Sequence, residues 1–183
     1  MIVLGVDAGA HGALAALDTL TGDLLMLEDM PFDVVNVGGK DRHRVSPGRL
    51  AELVRPFGTV SERDGSRVAM LMEQPTYRPL VFRNKQTGQR ETRQPGAAGM
   101  AQLGESVGIV KGIAAAFALA YTGVAPGAWK RVVRCAADKG EARRRAVECF
   151  PRWTASFARV KDDGRAEAAL IALYGAHTWR PGQ

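Results

Sequence analysis

The sequence predicts an α/β fold in which a mixed five-stranded sheet is flanked by helices. Short apolar runs of strand length alternate with longer stretches of helical periodicity, a pattern typical of βαβ units. The length of 183 residues suits one domain with a sizeable core rather than two domains. We therefore expect residues 1–183 to form a single α/β domain.

The first three predicted strands form a meander. Ile2–Asp7 is a continuous apolar run with β-branched residues, which indicates a buried strand. Turn residues at 9–12 separate it from Ala13–Asp18, and a second turn at 21–23 precedes Leu24–Glu28. The strand that ends at Asp7 therefore leads the sheet.

A helix and a fourth strand follow the meander. Residues 36–45 are rich in charge and glycine, and we predict no element there. Ser46 and Pro47 are a typical N-cap and first-turn pair, and helical spacing continues to Gly58. Arg67–Glu73 is the next strand, and the intervening helix predicts that it runs parallel to the first.

Residues 74–99 are predicted to form a long basic loop without periodicity. A loop of this length in a compact domain is either functional or disordered. Aromatic side chains interleaved with cations suit a branched or distorted nucleic acid, through stacking and phosphate contacts. The candidate DNA contacts are Tyr77, Arg78, Phe82, Arg83, Lys85, Arg90 and Arg93. The alternative interpretation is a solvated loop that binds nothing.

The second half of the chain is mostly helical. The predicted elements are a helix at 100–121, a strand at 123–125, two basic helices at 126–135 and 139–150, and a last helix at 164–178. The resulting order, βββαβαβα(α)α, is that of the ribonuclease H-like architecture.

Four acids stand where this order would bring them together. Asp7 and Glu73 each close an apolar strand, and Asp163 and Glu167 lie one turn apart at the start of the last helix. A carboxylate at the end of a buried strand is costly unless a positive charge neutralises it. Oxygen ligands without a Cys or His cluster predict two Mg²⁺ ions per site, with Mn²⁺ able to substitute.

Each acid also has a structural interpretation. Asp7 could cap the following turn, Glu73 could be a surface strand end, Asp163 could be an N-cap, and Glu167 could face solvent. The four positions together, in this order, favour the shared metal site.

The net charge and the cysteine content indicate the class of partner and the cellular compartment. The formal net charge of +6 favours a polyanionic partner. Cys135 and Cys149 have neither metal-ligand spacing nor the density of a disulfide framework, so we expect free thiols in a cytoplasmic protein. The start of the sequence has no signal-peptide pattern, and the apolar stretch 113–121 is too short to span a bilayer.

The motifs around these acids resemble the RuvC family of Holliday-junction resolvases, in particular its bacteriophage and prophage branch. They are Gly5-Val6-Asp7-Ala8-Gly9, Met72-Glu73, and the segment Asp163-Gly164-Arg165-Ala166-Glu167-Ala168-Ala169-Leu170-Ile171-Ala172. Residues 102–108, 124–130 and 149–151 are similar to the same branch, so the resemblance covers almost the whole chain.

The resemblance implies roles for particular residues. Asp7, Glu73 and Glu167 match the metal-binding acids of the family, whereas the usual place of a fourth acid is Gly164 here. Asp163 is the candidate for that fourth ligand, and Asp162 is the fallback. Lys130 and Lys139 match basic residues near the scissile phosphate, where a cation stabilises the transition state.

The resemblance also implies a homodimer, encoded by a bacterium or a phage, that cuts two opposed strands of a four-way junction symmetrically. We therefore expect a metal-dependent, structure-selective endodeoxyribonuclease that resolves four-way or other branched DNA. Alternatives are a non-catalytic junction-binding protein and a ribonuclease H-type hydrolase of RNA–DNA hybrids. A sugar-kinase-like ATP-binding domain shares the opening strand, but no further Gly-rich phosphate loop follows. The sequence does not decide whether the natural substrate is a junction, a fork or a flap, or whether the cut has a base preference.

Overall fold

The computed structural model describes residues 1–64, 67–75, 80–83, 86–93, 96–136 and 140–178, and for residues 59–64, 80–83, 91 and 93 it describes the backbone alone. The strands of these ranges are β1 (Ile2–Asp7), β2 (Ala13–Asp18), β3 (Leu24–Asp29), β4 (Phe32–Val37), β5 (Lys40–Val45), β6 (Val68–Glu73), β7 (Leu80–Arg83), β8 (Arg90–Arg93) and β9 (Ala120–Val124). The helices are α1 (Pro47–Asp64), α2 (Ala97–Ala116), α3 (Pro126–Val132), α4 (Glu141–Cys149) and α5 (Asp163–Thr178), with 3₁₀ segments at Pro151–Phe157 and Val160–Asp162.

A five-stranded mixed sheet forms the centre of the fold, in the order β3-β2-β1-β6-β9. The first three strands pair antiparallel, and β6 pairs parallel with both β1 and β9. Helices cover both faces. The predicted α/β class, the meander and the parallel pairing of the first and fourth predicted strands are therefore confirmed.

The pairing of β1 with β6 places two of the acids on one edge of the sheet. Val6 lies opposite Met72 in the register, so Asp7 and Glu73 are the next residues of two adjacent parallel strands. The interiors of both strands are buried, and the two acids are partly exposed where the strands end. The apolar run therefore fixes where each carboxylate emerges.

Helix α5 lies directly on one face of the sheet because the residues between them are small. A Cβ at Gly5 would lie 2.1 Å from the backbone oxygen of Ala168, and a Cβ at Gly175 would lie 2.6 Å from Val3. Such close approach is possible only for glycine. The first turns of α5, with Glu167, are thereby held beside the start of the chain.

Helices α1 and α2 pack on the opposite face, around Leu4, Leu50 and Val110. A Cβ at Gly58 would lie 3.0 Å from the Cβ of Phe117, so this glycine allows the two helical regions to approach. The prediction that the first helix ends at Gly58 is wrong: Gly58 is buried inside the helix against Phe117, and the helix continues to Asp64.

Two hairpins differ from the sequence-based expectation. Strands β4 and β5 form a separate antiparallel pair over residues 32–45, where no strand was predicted, and β7 pairs with β8 inside the segment 74–99 that was predicted as a loop. Most side chains of β4 and β5 are exposed, including the valines of β4, and β5 is mostly charged.

The helix predicted at 100–121 also has different bounds. Helix α2 ends at Ala116, and Ala118 has a positive φ of 51° that stops the helix. Tyr121 then lies in β9, opposite Met70. Among the residues described above, no helix is both long and apolar enough to cross a bilayer.

Candidate active site

Asp7 lies at the end of β1, where its Oδ1 accepts a hydrogen bond of 3.4 Å from the backbone N–H of Gly9. Burial, followed by the nearby carboxylates of Glu167 and Glu73, raises the pKa of Asp7 to about 7, against the opposing effects of Gly9 and Lys130. An acid whose pKa is raised by burial and by like charges is typical of a functional site.

Glu73 lies at the end of β6 and is held by a buried tryptophan. The indole N–H of Trp129 donates a hydrogen bond of 2.6 Å to Glu73 Oε2. Burial raises the pKa of Glu73, and repulsion from Glu167 adds to this, while Trp129 and Lys130 act in the opposite direction. The carboxylate is therefore fixed in orientation and is electrostatically coupled to the other acids.

Glu167 projects from the second turn of α5 toward the same edge of the sheet. Lys130, from α3, donates a hydrogen bond of 3.3 Å to Glu167 Oε1, and both side chains are only about a quarter exposed, at 26% and 29%. The ammonium of Lys130 also lies 5.0 Å from the ring centroid of Trp129. One lysine thus partly neutralises three carboxylates.

The structure therefore brings together Asp7, Glu73, Glu167 and Lys130, from four different elements of the chain. In the described ranges no three Asp, Glu, His or Cys side chains are close enough to form a complete ligand set for a metal ion. Mg²⁺ does not need such a cage, because it retains several waters and binds through one or two carboxylates plus substrate phosphates. The all-oxygen donor set fits a hard divalent cation.

The candidates for a fourth acid lie apart from this cluster. Asp163 is half exposed, and its Oδ1 accepts a hydrogen bond of 2.7 Å from Arg143 Nε. Asp162 is buried and binds both the backbone and the guanidinium of Arg159. A Cβ at Gly164 would lie 2.7 Å from the backbone oxygen of His11, so the position leaves no space for a side chain.

Several predicted contact residues fall outside what the structure describes. Lys139, Tyr77, Arg78 and Lys85 lie outside the described residues. Phe82, Arg83 and Arg93 lie in the β7–β8 hairpin, which is described there by its backbone. Arg90 begins β8 and is exposed.

Trp129 makes a contact with the acid cluster that the sequence does not predict. Its side chain is fully buried. Its hydrogen bond to Glu73 was not predicted, because the two residues are 56 positions apart. A buried tryptophan needs a partner for its N–H, which is the one signal the sequence offered.

Comparisons with known proteins support the fold. No protein-family model and no curated protein matches this chain. Among solved structures, the chain is similar to Thermus thermophilus RuvC in complex with a Holliday junction substrate, with 16% identity, 96% of this chain and 93% of that chain covered, and a TM-score of 0.57. It is also similar to a second Thermus thermophilus RuvC structure, with 17% identity, coverage of 97% and 96%, and a TM-score of 0.50. The chain thus has the ribonuclease H-like fold of RuvC.

Proposed function

We propose that this chain is a metal-dependent, structure-selective endodeoxyribonuclease that cuts branched DNA, with the four-way junction as its substrate. The observation that carries the proposal is the cluster of Asp7, Glu73 and Glu167 at the strand-end edge of a RuvC-like fold. The motifs around these acids further support assignment to the RuvC family and to its bacteriophage and prophage branch.

A panel of labelled substrates tests this proposal. Four-way junction, replication fork, flap, linear duplex and RNA–DNA hybrid are each incubated with Mg²⁺, Mn²⁺ or EDTA. The proposal requires cutting of the junction with either metal and none in EDTA. Exclusive cutting of hybrids would support a ribonuclease H-type enzyme instead, and tight junction binding without cutting would support a non-catalytic binder.

Asp7, Glu73 and Glu167 would hold the metal, and we propose two Mg²⁺ ions per site. When bound, these ions activate the attacking water and stabilise the leaving oxygen of a phosphodiester. Asp7 ends the central strand β1, and Trp129 orients Glu73 by its hydrogen bond. Lys130 lies close enough to this cluster to neutralise negative charge on a bound phosphate.

The raised pKa of Asp7 predicts how the stability of the metal-free protein depends on pH. The folded state holds the proton of Asp7 up to about pH 7, whereas the unfolded state loses it near pH 4. This group therefore lowers the free energy of unfolding as pH rises between these values, by up to about 4 kcal/mol. We expect Asp7→Asn to stabilise the protein at pH 8 in EDTA and to have little effect at pH 4, measured by urea unfolding. An equal effect at both pH values would contradict this prediction.

Trp129→Phe tests the orientation of Glu73, because it keeps the buried ring and removes the N–H. A hydrogen bond to a charged group contributes about 1.5–3 kcal/mol, so we expect cleavage at limiting Mg²⁺ to fall by roughly tenfold or more. Saturating Mg²⁺ should partly restore the rate, because the defect lies in the metal-binding carboxylate. Trp153→Phe, in a 3₁₀ segment away from the acids, is the matched control. Equal rates for both variants would contradict the role of Trp129.

Asp163 remains the proposed fourth metal ligand, since it lies one turn before Glu167 at the start of α5. To reach the cluster it would have to leave Arg143, its present ion-pair partner. Asp162 is held by Arg159 and caps the 3₁₀ segment before α5, so a structural role is favoured for it.

We propose that the basic segment 74–99 contacts the arms and the crossover of the junction. The β7–β8 register places Arg83 opposite Arg90, and two adjacent cationic positions favour an anionic partner between them. Tyr77 and Phe82 are the proposed stacking residues. Binding that depends on phosphate contacts should weaken steeply as salt increases.

A homodimer is proposed through α2. Gly104, Gly108 and Gly112 recur every four residues on the side opposite the buried Ser106 and Val110, and a Cβ at each glycine would meet no atom within 4 Å. Exposed glycines inside a helix cost about 1 kcal/mol each relative to alanine. Close approach of a second copy of α2 would offset that cost, because glycine lets two backbones come near each other.

Gly108→Arg is expected to convert the protein to a monomer and to abolish paired cutting of the two opposed strands. Light scattering gives the mass, and strand-specific labels report whether cuts occur in pairs. Gly48→Arg is the matched control, since Gly48 lies in an exposed first turn of α1 with open space around it. A dimeric Gly108→Arg variant would exclude this face of α2 as the interface.

A further inference from the structure

Two adjoining cavities open beside the turn that follows Asp7. The first, of about 310 Å³, is lined by His11, Gly12, Phe32, His43 and Lys161 among others. The second, of about 370 Å³, is lined by His11, Asp41, Arg42, His43 and Gln102. Each falls within the range of about 300–1,000 Å³ found for small-molecule pockets. His11 and His43 line both, so the two cavities meet at this pair of rings.

The wall of the cavities is a short stack of aromatic rings. The ring of Phe32 is stacked on His43, with 4.0 Å between centroids and an angle of 17°. The ring of His11 lies 5.1 Å from that of His43 and is tilted by 59°. Because His11 is exposed at the mouth, it leaves a ring surface on which another planar group can stack.

His43 also has an unused hydrogen-bonding atom. Its Nδ1 is buried and has no hydrogen-bond partner among the described residues. A buried polar atom without a partner costs free energy, and a turn of the imidazole toward the cavity would let a ligand supply the missing bond. The backbone oxygen of His43 accepts a hydrogen bond from Gln102 Nε2, which holds β5 in place on α2.

The charges at the cavities favour an anion. Three acids lie in the lining, but Asp29 is paired with Arg165, Asp162 with Arg159, and Asp41 accepts a hydrogen bond from Asn36. Arg42 and Lys161 line the cavities and have no ion-pair partner in the described part of the chain. The site therefore combines rings, one free imidazole nitrogen and two available cations.

The cavities are joined to the active-site edge by backbone hydrogen bonds. The turn between β1 and β2 is closed by a bond of 2.8 Å from Gly12 N to the oxygen of Gly9. Met30 N donates to the oxygen of Gly12 at 2.9 Å, so the root of the β4–β5 hairpin is attached to that same turn. A DNA strand that crosses the edge at Asp7 would pass the mouth of the cavities.

We propose that these cavities form a pocket for one unstacked nucleotide of the DNA strand beside the scissile phosphate. The base stacks on His11 and hydrogen-bonds to His43, and Arg42 and Lys161 bind the flanking phosphates. This inference rests on the proposed function, because it takes the bound strand to be that of the branched substrate. It gives the enzyme a base preference that the three acids alone do not provide.

An abasic scan of a synthetic four-way junction tests the pocket. Each nucleotide near the crossover is replaced in turn by an abasic analogue, and affinity is measured for Asp7→Asn protein in Mg²⁺. We expect one abasic position to weaken binding by about tenfold, the effect of losing one stacked base. Adding His43→Ala should weaken binding of the intact junction by a similar factor and should not weaken binding of that abasic junction further.

His11→Ala, in an exposed turn, repeats the test without changing a buried residue, and His177→Ala, in the last turn of α5, is the matched control. The pocket would be overturned if the affinity losses caused by the histidine variant and by the abasic position multiplied, as independent effects do. It would also be overturned if an abasic analogue weakened binding equally at every position. Binding of a free deoxynucleoside monophosphate to wild type but not to His43→Ala, with no effect on the affinity for the junction, would also overturn it. Failure of the wild type to cut any branched DNA is a separate result, which would refute the proposed function.

Discussion

Asp7→Asn is expected to lower the rate of junction cleavage by about three orders of magnitude or more, while junction binding survives. The substitution keeps the shape of the side chain and the acceptor for Gly9, and it removes the carboxylate whose pKa both Glu167 and Glu73 raise. Single-turnover cleavage gives the rate, and gel-shift or anisotropy measurements give the affinity. Wild-type rates for Asp7→Asn would refute the metal site.

Asp18→Asn is the matched control for this experiment, because Asp18 ends β2 as Asp7 ends β1 and lies at the opposite edge of the sheet. Its Oδ1 accepts a hydrogen bond from the backbone of Leu20, which asparagine can also accept. Asp163→Asn belongs in the same series. A loss comparable to that of Asp7→Asn would establish the fourth ligand, and a change of only a few fold would mean that three acids suffice.

Lys130→Met is expected to lower the cleavage rate by about a hundredfold, with a smaller effect on affinity. Methionine keeps most of the apolar stem and removes the ammonium, which pairs with Glu167 and lies 5.0 Å from the ring centroid of Trp129. If Lys130 acts on the bound phosphate, the loss persists at saturating Mg²⁺. If Lys130 only neutralises Glu167, metal would replace it, and the loss would disappear as Mg²⁺ increases.

Lys40→Met is the control for Lys130→Met, since Lys40 is exposed at the start of β5, opposite Val37, away from both the acids and α2. It removes the same charge from the protein without touching the acids. Equal losses for the two lysine variants would indicate a general effect of net charge on DNA binding.

Much of the sheet could be predicted from the sequence because its strands are buried along their interiors. Ile2–Asp7 and Val68–Glu73 are continuous apolar runs that end in an acid, so their bounds and their parallel pairing follow from local pattern and from the connecting helix. The β4–β5 hairpin was missed because it lies outside the sheet and most of its side chains are exposed. In β4 the apolar residues Val34 and Val35 are adjacent, and in β5 charged residues predominate, so neither strand has a regular period-2 apolar pattern.

The site could be predicted only where backbone topology decides it. Asp7 and Glu73 must meet if their strands are adjacent and parallel, whereas helix spacing alone places Asp163 near Glu167. Helix spacing does not predict the ion pair between Asp163 and Arg143, because Arg143 comes from α4. The contact of Trp129 with Glu73 likewise depends on how α3 packs, and no local pattern encodes it.

Strand-resolved cleavage of one four-way junction tests the central claim most directly, namely that the three acids form the metal site of a junction-cutting enzyme. Each of the four strands is labelled separately, and wild type and Asp7→Asn are compared in Mg²⁺ and in EDTA. We expect paired cuts at symmetric positions in two opposed strands, made by wild type in Mg²⁺ and absent in the other three conditions. Cuts by Asp7→Asn, cuts in EDTA, or intact junctions with wild type in Mg²⁺ would contradict it.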